Sequence, residues 1–224
     1  MNKKHISFIV YSFILMGLSK DEVTLDEVSP KIKISTIHEI TKIDTLNAHQ
    51  LASFGQKLLN EGRYEESLEP LKNSVKLVPE DADTHFYLGL AYGALGKHAE
   101  KMHHYKEATS LNPEHAHAFF KLGLAEAALK RHQQAIGYYE HALYFKPYLL
   151  KANYFLGLSY YLSGRYKEAL IPLKKALDLE PDNPHIYYSL GLAYLKLGEY
   201  KKSLKPLKRA LSRKPFANET APGL

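Results

Sequence analysis

The chain has 224 residues, 45% of them hydrophobic and 24% charged, which is the composition of an ordinary folded protein. It has no cysteine, which excludes disulfides, thiolate metal sites and cysteine nucleophiles. The formal net charge is +6, which suggests nucleic acid, acidic proteins or anionic surfaces as partners, subject to where the charge lies.

In chain order, the first segment is MNKKHISFIVYSFILMGLSKDEV. Lys3 and Lys4 precede an apolar run, Ile6 to Leu18, and Gly17 and Ser19 at its end supply the small residues that a signal peptidase needs. The run covers 13 residues, whereas a membrane-spanning helix needs roughly 20. Residues 1–19 therefore read as a signal peptide, predicting an exported protein, periplasmic or secreted; a membrane anchor or a cytoplasmic protein are the alternatives. Residues 20–47 read as a linker ending in a short capping segment, in which Ile37, Ile40, Ile43 and Leu46 form a helical stripe.

From there the sequence repeats. Pro79, Pro113, Pro147, Pro181 and Pro215 are spaced 34 residues apart, which divides residues 48–217 into units 48–81, 82–115, 116–149, 150–183 and 184–217. Position 8 of each unit is Gly55, Gly89, Gly123, Gly157 or Gly191, preceded by Phe54, Leu88, Leu122, Leu156 or Leu190. Apolar positions 4, 7, 8 and 11 share one face at about 100° per residue, predicting a first helix over positions 1–14. Gly62, Gly96, Gly164 and Gly198 at position 15 suit the left-handed conformation that ends a helix. Apolar positions 20, 21, 24, 27, 28 and 30 predict a second helix, closed by the proline at position 32. A glycine in mid-helix costs about 1 kcal/mol against alanine, so the one at position 8 implies close approach of the paired helices. Residues 218–224 form a tail.

Units such as YSLGLAYLKLGEYKKSLKPLKRALSRKP resemble the tetratricopeptide repeat family over 170 of the 224 residues. The resemblance implies an all-α fold: a right-handed superhelical solenoid of five tandem 34-residue helix-turn-helix repeats. It also implies a concave groove, lined by first helices, that receives a partner's peptide or helix. Some positions depart from the pattern. Position 4 is polar at His85 and Asn153, and the third unit carries Glu126 and Lys130, which the four-residue spacing predicts as a helix-surface ion pair. Pro70, Pro172 and Pro206 fall inside second helices, where bending rather than loss of helix is expected.

The expected groove residues are Phe86, Phe120, Tyr154 and Tyr188 at position 5, with Leu90, Leu124, Leu158 and Leu192 at position 9. They form either a continuous apolar track for a partner's hydrophobic segment or packing against neighbouring first helices. Co-chaperone members of the family clamp a carboxylate with lysine, asparagine and arginine on this face, and those residues are missing here.

Charge is concentrated in the fifth unit, which has eight basic residues against Glu199 alone. Lys201, Lys202, Lys205, Lys208, Arg209 and Arg213 lie on its second helix. They read as a polar end face that keeps the array soluble, or as a dock for an acidic partner or an anionic membrane; nucleic acid is not the expected partner. Twelve histidines raise the question of a metal. No two have the four-residue spacing of a helical pair, and His98 and His132 stand where other units have Tyr64, Tyr166 and Tyr200. With no phosphate-binding glycine loop, GxSxG elbow or HExxH, the sequence predicts no catalytic residues, no metal, no cofactor and a non-enzymatic protein that binds other proteins.

Overall fold

The computed structural model describes the backbone of residues 34–212 and the side chains of residues 44–212 except Leu46. Residues 1–19, read as a signal peptide, and 213–224, which include Arg213, lie outside it. The described residues form ten helices and no strand.

The chain divides after Glu80 into two compact units. The first holds α1 (Ile34–Asn60) and α2 (Tyr64–Leu77). α1 begins inside the segment read as linker and cap and runs unbroken into the first repeat helix. The α1–α2 hairpin is closed by Leu71, which faces Gly55, and by the buried Ser74 hydroxyl, which donates to the Ala48 carbonyl at 2.9 Å. On another face of α1, Phe54 is 54% exposed beside exposed Gln50 and Lys57. The same three positions of the third repeat are the buried Ala118, Leu122 and Ala125.

The second unit holds four hairpins: α3 (Ala82–Ala94) with α4 (His98–Leu111), α5 (Ala116–Ala128) with α6 (His132–Phe145), α7 (Leu150–Leu162) with α8 (Tyr166–Leu179), and α9 (Pro184–Lys196) with α10 (Tyr200–Ser212). Each second helix also packs on the next first helix, so the hairpins stack in chain order as a solenoid. Its main core joins Phe119, Phe120, Ile136, Tyr139, Leu156, Tyr160, Leu173, Leu190 and Tyr194.

The glycines do what the spacing predicts. At position 8, Gly89 and Gly123 receive the rings of Tyr105 and Tyr139, while Gly157 and Gly191 receive Leu173 and Leu207. At position 15 the four glycines have φ between 72° and 76°. Lys130 takes the same left-handed turn at φ 60° without being glycine. This overturns the expected Glu126–Lys130 pair: α5 ends at Ala128, so Lys130 no longer lies on the helix. Glu126 instead meets Arg131, at 3.5 Å.

The polar residues at position 4 are satisfied locally. Asn153 donates to the carbonyls of Pro147 and Leu149 at 2.9 and 3.3 Å, tying α7 to the preceding turn. His85 meets His104 across the α3–α4 hairpin, Nδ1 to Nδ1 at 3.1 Å, and His104 stacks on Tyr92. At α9, Asn183 caps the helix by accepting from the N–H groups of His185 and Ile186, with Pro184 as the first helical residue. α2, α8 and α10 continue through Pro70, Pro172 and Pro206, all buried.

Candidate partner-binding site

The position-5 side chains of the second unit reach toward the following repeat. Phe86 lies 4.8 Å from the His115 ring and 5.9 Å from Tyr105. Phe120 lies 6.1 Å from Phe155 on the next first helix and 5.9 Å from Tyr139. Tyr154 is within hydrogen-bonding reach of Ser189, also one repeat on, and burial pushes its phenol pKa up. These aromatics therefore brace successive hairpins. Phe120, 5% exposed, belongs to the core, whereas Tyr188 is 43% exposed. Phe86, Leu90, Leu124, Tyr154, Leu158 and Leu192 are half-buried. The expected track is thus uneven, with Phe120 acting mainly as packing.

Three of the eight expected residues come together at one place. Phe120, Leu124 and Tyr154 line a cavity of about 520 Å³ with Leu150, Phe155 and Ile186. Lys121 and Lys151 also line it, as do Glu180 and Asn183. The other five, Phe86, Leu90, Leu158, Tyr188 and Leu192, lie outside this cavity. The two lysines were not singled out in the sequence. Lys121 is half-buried, and its pKa is held down by burial and then by the neighbouring charges of Lys151 and Lys101.

The basic helix α10 is a separate surface. Lys201, Lys202, Lys205, Lys208 and Arg209 are all exposed. Lys202 pairs with Glu199 at 2.5 Å, and Arg209 reaches Asp182 at 3.4 Å while lying over the Tyr187 ring. Lys201, Lys205 and Lys208 make no ion pair among the described residues. Leu204 and Leu211 are exposed on the same helix, at 57% and 74%.

The histidines have local roles. His115 is the N-cap of α5, its Nδ1 accepting from the Ala118 N–H at 3.1 Å. His141 stacks on Phe119 at 4.0 Å, and the Lys146 ammonium donates to His117 Nε2 at 3.1 Å. Among the described residues no three histidine, aspartate or glutamate side chains converge as metal ligands would. Nor is any described helix long and apolar enough to cross a membrane.

Stacked helix hairpins with a half-buried apolar lining on their first helices define a helical-repeat protein. The tetratricopeptide repeat models match residues 82–115, 103–149 and 184–216, and the model described as TPR repeat matches 55–96 and 157–198. The chain belongs to the tetratricopeptide repeat family, which supports a role in protein interaction. No curated protein matches it. Among solved structures it is similar to a crystal structure of MamA, 27% identical over 70% of this chain and 92% of that one, with a TM-score of 0.64. A second MamA structure is 24% identical over 79% and 98%, with a TM-score of 0.67. MamA 41-end from Desulfovibrio magneticus RS-1 is 21% identical over 77% and 98%, also at 0.67. These likenesses concern the fold.

Proposed function

We propose that the protein is a non-catalytic adaptor that takes a hydrophobic peptide or helix of a partner protein on the first-helix face of its second unit. The observation that carries this reading is the cavity where Phe120, Leu124 and Tyr154 meet. Six of its lining residues are apolar, with Phe120 and Ile186 buried in the core, so an aliphatic or aromatic side chain entering it exchanges water for packed contacts. Interface energy concentrates in a few such anchors. Partners captured by crosslinking and identified by mass spectrometry supply the ligand, and Leu124→Ala with Tyr154→Ala supplies the test. Phe120 is left intact because its loss would disturb the core. The double variant, folded by circular dichroism, is expected to lose several kcal/mol of affinity. Undiminished binding sinks the groove reading.

A second reading rests on Lys201, Lys205 and Lys208 interleaved with exposed Leu204 and Leu211 on α10. This surface suits an acidic protein or an anionic membrane. Charge reversal at Lys205 and Lys208 abolishes binding under this reading, and binding weakens steeply with salt. Export is part of the proposal. It rests on the Lys3–Leu18 pattern and predicts a mature N-terminus close to Lys20, which intact mass decides.

A further inference from the structure

Two lysines from successive repeats line the apolar cavity, and a third, from the repeat before them, lies near enough to Lys121 for its charge to act on it. Lys121 projects from α5 and Lys151 from α7, and both line it. Lys101 comes from a second helix, α4, in a repeat whose position 12 is Gly93. The Lys101 stem lies across that glycine, with its Cδ 3.0 Å from where a Cβ would stand. In the next three repeats position 12 is Ala127, Tyr161 and Leu195, and a side chain there would occupy the same space.

Among the described residues no carboxylate forms an ion pair with any of the three. Lys101 meets the ring of exposed His98, at 3.4 Å. Glu180, the one carboxylate on the cavity wall, accepts from the Asn183 amide at 2.6 Å and lies beyond ion-pair reach of both lysines. Lys121 bears the consequence: half-buried and crowded by two like charges, its ammonium is destabilised. Crowded, half-desolvated cations without counter-charges are poorly accommodated by the fold alone, and an anion placed between them relieves the repulsion.

We infer that Lys101, Lys121 and Lys151 form an anion-binding rim, so that the segment entering the cavity carries an aspartate or glutamate next to its apolar anchor. This rests on the groove reading and narrows it to an acidic-apolar peptide. The apolar anchor fills the space between Leu124 and Tyr154, and the carboxylate accepts from the ammonium groups above it. Charge-assisted contacts of this kind, partly shielded from water, set orientation and discrimination.

The test pans a phage-displayed library of random 12-residue peptides on the full-length protein. Selected peptides are then synthesised with and without Asp→Asn and Glu→Gln exchanges. The expected consensus pairs an aromatic or aliphatic residue with an acidic one, and neutralising that residue weakens binding about tenfold. Lys121→Gln and Lys151→Gln each remove the preference for the acidic peptide over its neutral version. Lys121→Gln also melts no lower than the parent, since it relieves cationic crowding, so its loss of binding is not loss of fold. An apolar consensus with no acidic component, or an acidic preference that survives both lysine variants, overturns the anion rim and leaves the groove standing. Binders indifferent to Leu124→Ala with Tyr154→Ala overturn the groove itself, and a library yielding no binder counts against both.

Discussion

The ring of Tyr139 lies against the backbone of Gly123 so closely that a Cβ on the glycine would fall inside van der Waals contact with Cδ1 and Cε1. In the next hairpin Leu173 fills the same role, with its Cγ 2.5 Å from where a Cβ of Gly157 would stand. A side chain at either glycine pushes two helices apart. Gly157→Leu and Gly191→Leu are therefore expected to destabilise by about 1–3 kcal/mol through overpacking, read as a lower denaturation midpoint with unchanged helix content.

Tyr139 also carries a liability. It is fully buried, burial pushes its phenol pKa up, and its hydroxyl has no hydrogen-bond partner among the described residues. A buried polar group left unsatisfied costs roughly 1–3 kcal/mol. Tyr139→Phe keeps the ring over Gly123 and removes the orphaned hydroxyl, so the variant is expected to be at least as stable as the parent. A drop of more than 1 kcal/mol in urea denaturation, by the scale of a single hydrogen bond, would reveal a partner for the hydroxyl.

At Lys130 the third repeat makes a left-handed turn with a side chain where the other four repeats use glycine. The left-handed region costs an L-residue roughly 1–2 kcal/mol. Lys130→Gly is expected to raise the melting temperature, while Gly164→Lys, which imposes the same strain on the fourth repeat, lowers it. Equal melting temperatures for Lys130→Gly and the parent would contradict this.

His117 makes stability depend on pH. Although His117 is exposed, partial desolvation lowers its pKa below the ordinary 6.5, and the charges of Lys146, His115 and Lys121 lower it further. Below that ordinary value the unfolded chain takes up a proton that the folded protein resists. The contribution is therefore fully present above pH 6.5 and declines as the pH falls through the folded-state value. His117→Gln is expected to narrow the gap between urea midpoints measured at pH 7.5 and 5.5. A gap unchanged by the substitution places the acid sensitivity elsewhere.

Local periodicity made most of the fold legible. The 34-residue spacing of prolines and the glycines at positions 8 and 15 predicted where helices start, stop and touch, because each of these signals acts within one hairpin. Contacts that depend on which way a long side chain turns were not legible. His85 and His104 are 19 residues apart and meet only once α3 and α4 pair. The Lys101 stem lies across Gly93, where a side chain would stand in its way, and no spacing rule joins a second-helix lysine to a first-helix lysine of the next repeat such as Lys121. Phe120 was placed on the correct helix face, but its burial depends on Phe155 one repeat further on. Glu126 and Lys130 had the spacing of an ion pair and lost it because the helix ends between them.

The glycine at position 8 and the side chain it receives are 16 residues apart in every repeat, as in Gly55 with Leu71 and Gly191 with Leu207. Knob and hole are thus inherited on one stretch of chain shorter than the period. Unequal recombination that deletes or duplicates a whole period transmits both together, so a leucine-type or tyrosine-type hairpin keeps its own fit wherever it lands. A crossover between the two halves of hairpins of different type would join a glycine to the wrong partner. The glycine fit is therefore modular at the hairpin and not at the single helix, whereas contacts between hairpins, such as Phe120 with Phe155, are made anew at each junction.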